Sequence, residues 1–155
     1  MPRINKFITP MELAIKKAKL AAMQDEVPVG AVITHNNEII AACGNKMRQN
    51  NNLLDHAEIL AINQAMSILG TDRLTDCNIY VTLEPCTMCS AAIATARIKR
   101  LYYGARDIKM GAVESGVNFF NQSSCLHKPE IYSALYENEC RELMVNFFQD
   151  KRLVK

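Results

Sequence analysis

The sequence predicts an α/β domain in which a mixed five-stranded sheet is covered by helices on both faces, with the whole chain, residues 1–155, forming one domain. Three observations lead there. Two short apolar runs, Val29-Gly30-Ala31-Val32-Ile33 and Ile39-Ile40-Ala41-Ala42, flank the turn-rich His35-Asn36-Asn37-Glu38 and read as a hairpin. From there strand-like and helix-like segments alternate to the end of the chain. A length of 155 residues with 49% hydrophobic content is enough for one buried core without help from disulfides.

The elements follow in order. Thr9-Pro10-Met11-Glu12 opens a helix with a capping residue, a proline at the first helical position and a glutamate placed for a capping box. Met11, Ala14, Ile15, Ala18, Ala21 and Ala22 then keep helical spacing to about Gln24. After the hairpin, whose turn is expected to expose His35, residues 44–52 are polar and read as a loop. A second helix runs from about His56 to Leu69, apolar nearly all round and closed by Gly70, which implies deep packing on a sheet. Asp55 and Glu58 bracket its start as a capping box would. Ile79-Tyr80-Val81-Thr82-Leu83 is the clearest strand, and Pro85 is expected to start a third helix reaching about Ala96. Arg100 to Gly104 reads as a strand, Ala105 to Gln122 as a long loop with a helical turn or two, and Ile131 to Leu135 as a fifth strand. Glu137 to Arg152 forms a terminal helix with Cys140, Leu143, Met144, Phe147 and Phe148 on its inner side.

The composition excludes several classes of function. A formal charge of +2 does not mark a nucleic-acid binder by its total, although Arg97, Lys99, Arg100, Arg106 and Lys109 cluster against the single acid Asp107, and Lys151, Arg152 and Lys155 close the chain. No apolar run has the length of a membrane span, and the first residues lack a signal-peptide core, so the expected location is the cytoplasm. Six cysteines in such a chain read as buried thiols plus a metal or redox pair.

The chemistry gathers at two short stretches. In Pro85-Cys86-Thr87-Met88-Cys89 the cysteines are three apart, so on a helix both sulfurs point one way, and a helix N-terminus favours their thiolates. That motif alone serves zinc binding and thioredoxin-type redox chemistry equally well. His56-Ala57-Glu58 alone is weaker still. Together they offer three zinc ligands, His56, Cys86 and Cys89, with the fourth position open to water, the arrangement of a catalytic site. Cys43, Cys77, Cys125 and His127 are the candidates for a closing fourth ligand, which would make the site structural instead. An open zinc next to a carboxylate implies that Glu58 accepts the water proton and passes protons to a ring nitrogen and a departing amine.

The chain resembles the bacterial tRNA-specific adenosine deaminases of the cytidine-deaminase-like zinc superfamily, whose H-x-E…P-C-x-x-C signature it carries. The resemblance rests on Val27-Pro28-Val29-Gly30-Ala31-Val32, Asn45, His56-Ala57-Glu58, Thr82 through Cys89, Gly104-Ala105-Arg106-Asp107 and Phe147 through Arg152. It implies a three-layer α/β/α cytidine-deaminase-like fold with a mixed five-stranded sheet. It implies conversion of adenosine to inosine at the wobble position of a tRNA anticodon, usually of an arginine tRNA, by a homodimer holding one zinc per subunit. In this correspondence Glu58 is the acid/base and His56, Cys86 and Cys89 are the metal ligands. Asn45 bonds the flipped nucleoside, Val29 and Ala57 shape its pocket, Arg106, Asp107 and Lys109 grip the anticodon, and Phe148 and Arg152 meet neighbouring nucleotides. From the residues themselves, Phe148 fits slightly better in the core and Asn45 fits equally well as a turn residue. Asp55 departs from the alanine common before the histidine in this family.

Two other functions share these motifs: a free-base or nucleoside deaminase for guanine or cytosine, and a non-catalytic zinc-bearing RNA-binding subunit. Arg106-Asp107 and the basic, aromatic tail speak against the first, and Glu58 against the second, because a scaffold needs no proton shuttle.

Overall fold

The computed structural model describes residues 7–153, with side chains to residue 151. Helix α1 (Pro10–Met23) starts as expected, with the Thr9 hydroxyl accepting the Glu12 amide at 3.2 Å. The reciprocal half of the box is missing because the Glu12 carboxylate instead accepts the Tyr136 hydroxyl at 3.3 Å. Strands β1 (Gly30–His35) and β2 (Glu38–Gly44) form the hairpin. Its two-residue turn is Asn36-Asn37, both at positive φ, the conformation that twisted hairpins require and asparagine tolerates. His35 ends β1 half-buried instead of lying exposed in the turn.

Helix α2 (Ala57–Leu69) ends at Gly70 in the left-handed region, where a Cβ would be strained. Strand β3 (Cys77–Leu83), helix α3 (Thr87–Thr95) and strand β4 (Arg100–Ala105) follow. Pro85 does not begin α3. Its carbonyl accepts the Ala112 amide at 2.9 Å and Cys86 pairs in an antiparallel bridge with Gly111, so residues 85 and 86 stay extended and Cys86 is the N-cap. The long loop holds one 3₁₀ turn, Phe119–Asn121. Strand β5 (Glu130–Tyr132) is shorter than expected, since Ala134 adopts positive φ and the Leu135 amide turns to the Tyr103 carbonyl. Helix α4 (Glu137–Leu153) closes the fold.

The sheet order is β2-β1-β3-β4-β5. β1 is antiparallel to β2 and β3, while β3, β4 and β5 run parallel, which makes the sheet mixed. Alternation splits the strands between two cores. Ala31, Ile33, Ile79, Val81 and Leu101 pack with Ala57, Ala61 and Ile93 of α2 and α3. Val32 and Tyr80 pack on the opposite face with Met11, Ala14 and Ile15 of α1 and with Cys140 of α4. Approach on that face is close: a Cβ on Gly30 would lie 1.8 Å from the Ala14 carbonyl oxygen, so α1 can cross β1 only at a glycine. This layering brings the start of α2 and the Cys86 turn to the carboxyl end of β3, where open α/β sheets form their clefts.

Candidate active site

A cleft of about 700 Å³ opens at this end of the sheet. His56, Glu58 and Cys86 line its floor and Cys89 lies buried just behind it, the Cys86 and Cys89 sulfurs being 3.7 and 3.5 Å from His56 Nδ1. The three come from two helix starts: His56 and Cys86 are the N-caps of α2 and α3, and Cys89 sits one turn into α3. Among the described residues this is where three possible metal ligands converge. Sulfur at about 2.3 Å and nitrogen at about 2.0–2.1 Å on a tetrahedral zinc stand about 3.6 Å apart, so the donor set fits that ion. The other candidate ligands lie elsewhere, Cys77 buried in the core at the start of β3 and the remaining three bonded to other groups. Cys43 bonds Gln64, the Cys125 thiol bonds the His127 carbonyl at 3.1 Å, and the His127 ring faces the Ile98 carbonyl at 2.7 Å.

Thiol acidity is divided unequally between the cysteines. A hydrogen bond from Cys89, aided by His56, outweighs burial and lowers the Cys86 thiol to about 4. Cys89 is driven upward because it is the donor in that pair and is buried. The His56 ring is raised by its bond to Cys86 against the opposing effect of burial. Glu58, 4% exposed and one residue into α2, is pushed up by burial. A carboxyl held this way sits nearer the range in which it can both take and return a proton.

The expected capping box at α2 does not form. The Asp55 carboxylate accepts the side-chain amides of Asn50 and Asn52 at 2.9 and 3.2 Å, and Glu58 turns into the cleft. The first α2 amide, that of Ala57, is instead bonded by Asn45 Oδ1 at 2.7 Å. Asn45 is therefore no turn residue. It is 5% exposed, is held by its own amide on the Val29 carbonyl, and borders the cleft with its other side-chain group, an NH2 donor.

Val29, Asp107, Lys109 and Phe148 also line the cleft. Phe148 is 45% exposed and meets Phe147 edge-on, so its place is over the cleft and not in the core. Ala57 lies fully buried behind the lining. Arg106 is turned back onto its own loop, where Nε donates to the Ser115 hydroxyl at 2.8 Å. The Asp107 carboxylate accepts the Lys109 and Met110 amides at 3.1 and 3.0 Å, which makes it a turn former as well as a lining residue. The Arg152 side chain and Lys155 lie outside the described residues.

The spacing of residues missed several others. Met47, Met110 and Met144, which belong to no motif, and Leu83, which was read as the end of a strand, make much of the wall apolar. Two buried glutamates act on the loops around the cleft. Glu26 accepts the Arg48 and Gln49 amides at 2.9 and 3.1 Å, and Glu84 accepts amides from Asp107 and from residues 113–115. Glu84 is held below the usual carboxylate range, its burial being outweighed by these amides and the Ser115 hydroxyl. The signal for Glu26 was a charge beside an apolar strand; Glu84 stood inside the Thr82 through Cys89 motif, which gave it no role.

Known proteins share this architecture. The family pattern of MafB19-like deaminases matches residues 5–152. A tRNA-specific adenosine deaminase of Agrobacterium fabrum is 54% identical over 143 residues, covering 92% of this chain and 94% of the relative. A solved structure from studies of A-to-I editing by tRNA:A34 deaminases at the wobble position of transfer RNA superposes with a TM-score of 0.86 at 54% identity, covering 86% of this chain and 97% of that one. A guanine deaminase from Bacillus subtilis superposes with a TM-score of 0.61 at 30% identity, covering 74% and 83%.

Proposed function

As this chain belongs to the MafB19-like deaminase family and, within it, to the tRNA-specific adenosine deaminases, we propose that it hydrolyses the wobble adenosine of a tRNA anticodon to inosine, releasing ammonia. The five-stranded mixed sheet between two helical layers is the cytidine-deaminase-like fold. The observation that carries the chemical reading is the convergence of His56, Cys86 and Cys89 beside the buried Glu58 at the floor of one cleft, which His56, Cys86 and Glu58 line.

His56, Cys86 and Cys89 would hold one zinc per subunit. When bound, zinc would supply Lewis acidity that makes a water molecule acidic enough to lose its proton near neutral pH. Glu58 takes that proton and delivers it to the ring nitrogen beside the reacting carbon. As the water oxygen stays on the carbon and the carbon–nitrogen bond breaks, Glu58 carries the second proton to the departing amine. Asn45, its oxygen fixed by the Ala57 amide, keeps its NH2 to orient the nucleoside. Val29 and Leu83 offer apolar surface to the base, and Phe148 is exposed where an unpaired neighbouring base can stack on it. Lys109 and Arg152 would neutralise phosphates, while Arg106 serves the RNA indirectly by bracing its loop. The reading extends to a homodimer of single-domain subunits in the cytoplasm, acting on an arginine tRNA. No helix among the described residues is long and apolar enough to cross a membrane.

Zinc-loaded protein incubated with an anticodon stem-loop tests the reading. Inosine and ammonia are expected in equal amounts, and Glu58→Ala should abolish both while keeping zinc. Ammonia from guanine, with none from the stem-loop, overturns it in favour of a free-base deaminase.

A further inference from the structure

We propose that Glu84 is a positioning residue whose carboxylate sets the conformation of the 106–115 loop and thereby the affinity for RNA, leaving the chemical step to Glu58. This rests on the RNA-editing reading above. Glu84 is 2% exposed. Its Oε1 accepts the Asp107 amide at 3.1 Å and the Ser115 hydroxyl at 3.0 Å; its Oε2 accepts the amides of Val113, Glu114 and Ser115 at 3.0, 2.9 and 2.9 Å. The donors come from both ends of the loop, so one side chain closes it like a clasp. Ile108 and Met110 project between those ends, exposed, and Lys109 and Met110 reach the cleft.

The rest of the loop is built around that carboxylate. A Cβ on Gly111 would lie 2.3 Å from the Asp107 carbonyl oxygen and 2.5 Å from Glu84 Cδ, so the loop passes over the carboxylate only at a glycine. The Ser115 hydroxyl donates to Glu84 while accepting from Arg106 Nε at 2.8 Å, which fixes Arg106 through the same clasp. The metal-ligand turn is tied to the loop by backbone alone, through Ala112 N to Pro85 O at 2.9 Å and the Cys86–Gly111 bridge. The clasp can therefore be weakened at the side chain while the ligand turn keeps its backbone partners. Glutamine at this position can satisfy only one set of donors, because its NH2 would face N–H groups on the other side.

The experiment compares zinc-loaded wild type, Glu84→Gln and the milder Ser115→Ala. Steady-state deamination of the stem-loop should show KM raised at least tenfold in Glu84→Gln and about threefold in Ser115→Ala, with kcat within threefold and zinc retained. Hydrogen exchange is read on the same proteins: the amides of Asp107 and residues 113–115 should lose protection in Glu84→Gln while those of α2 stay protected. A fall in kcat at unchanged KM, loss of zinc, or unchanged protection of those amides overturns the proposal. If wild type fails to deaminate the stem-loop, the functional reading fails, and the exchange data still decide whether Glu84 holds the loop.

Discussion

Two loops wall the cleft, and each is pinned by a buried glutamate, yet they deliver different things. Glu26 fixes the amides of Arg48 and Gln49 in the loop between β2 and α2. That loop leads directly from Asn45 to His56, so its shape places the amide proposed to meet the nucleoside and the ring proposed to hold zinc. Glu84 fixes the loop after β4, whose cleft-facing residues Asp107, Lys109 and Met110 are part-buried or exposed and carry no metal ligand. Similar backbone clamps can thus serve different kinetic constants. Damage to the first wall should lower turnover, and damage to the second should loosen binding.

The comparison breaks most sharply at the floor between the walls. Glu58→Ala removes the carboxyl proposed to carry protons and should lower kcat by at least ~10²–10⁴-fold, measured as inosine formed per minute, with zinc still bound. Removing zinc with a chelator should abolish activity and lower the melting temperature. Readdition at about a thousandfold its dissociation constant should restore roughly 4 kcal/mol of stability, readable as a reversible shift in calorimetry.

On the first wall, Asn45→Ala leaves the Ala57 amide without its acceptor and costs about 1–3 kcal/mol of folding stability. It should lower kcat as well if, as proposed, the same residue orients the nucleoside; a variant changed only in KM would erase the distinction between the walls. At the rim, Phe148→Ala should weaken stem-loop binding by about 1–3 kcal/mol with turnover at saturation preserved. Lys109→Ala is the smallest effect, a few-fold loss of affinity. Its signature is a shallower salt dependence, the slope of log K against log salt falling by about 0.7.

Most of the fold was legible because its signals are local. Thr9-Pro10, the paired asparagines of the hairpin, Gly70 and the β-branched run at 79–83 each act within a few residues of themselves. The convergence of His56, Cys86 and Cys89 was legible because a histidine and a Cys-x-x-Cys pair need only be joined by one strand. What escaped depends on long-range partners. Asp55 looks like a helix cap until Asn50 and Asn52 claim it, and the true partner of the α2 start, Asn45, lies well upstream. Glu26 and Glu84 bond amides 22 to 31 positions away in sequence, so neither the loops' shapes nor the inward turn of Arg106 could be read from spacing. Phe148 sits on an amphipathic helix, and periodicity assigns it inward; only the cleft beside α4 explains its exposure.

If this floor and these walls act together on RNA, the substrate is a tRNA anticodon. Incubating the zinc-loaded protein with total tRNA from its native cell and mapping inosine by sequence tests it most directly. Adenosine-to-inosine conversion confined to the first anticodon position is expected, absent with Glu58→Ala. Bound tRNA without inosine, or ammonia released only from free bases, would contradict it.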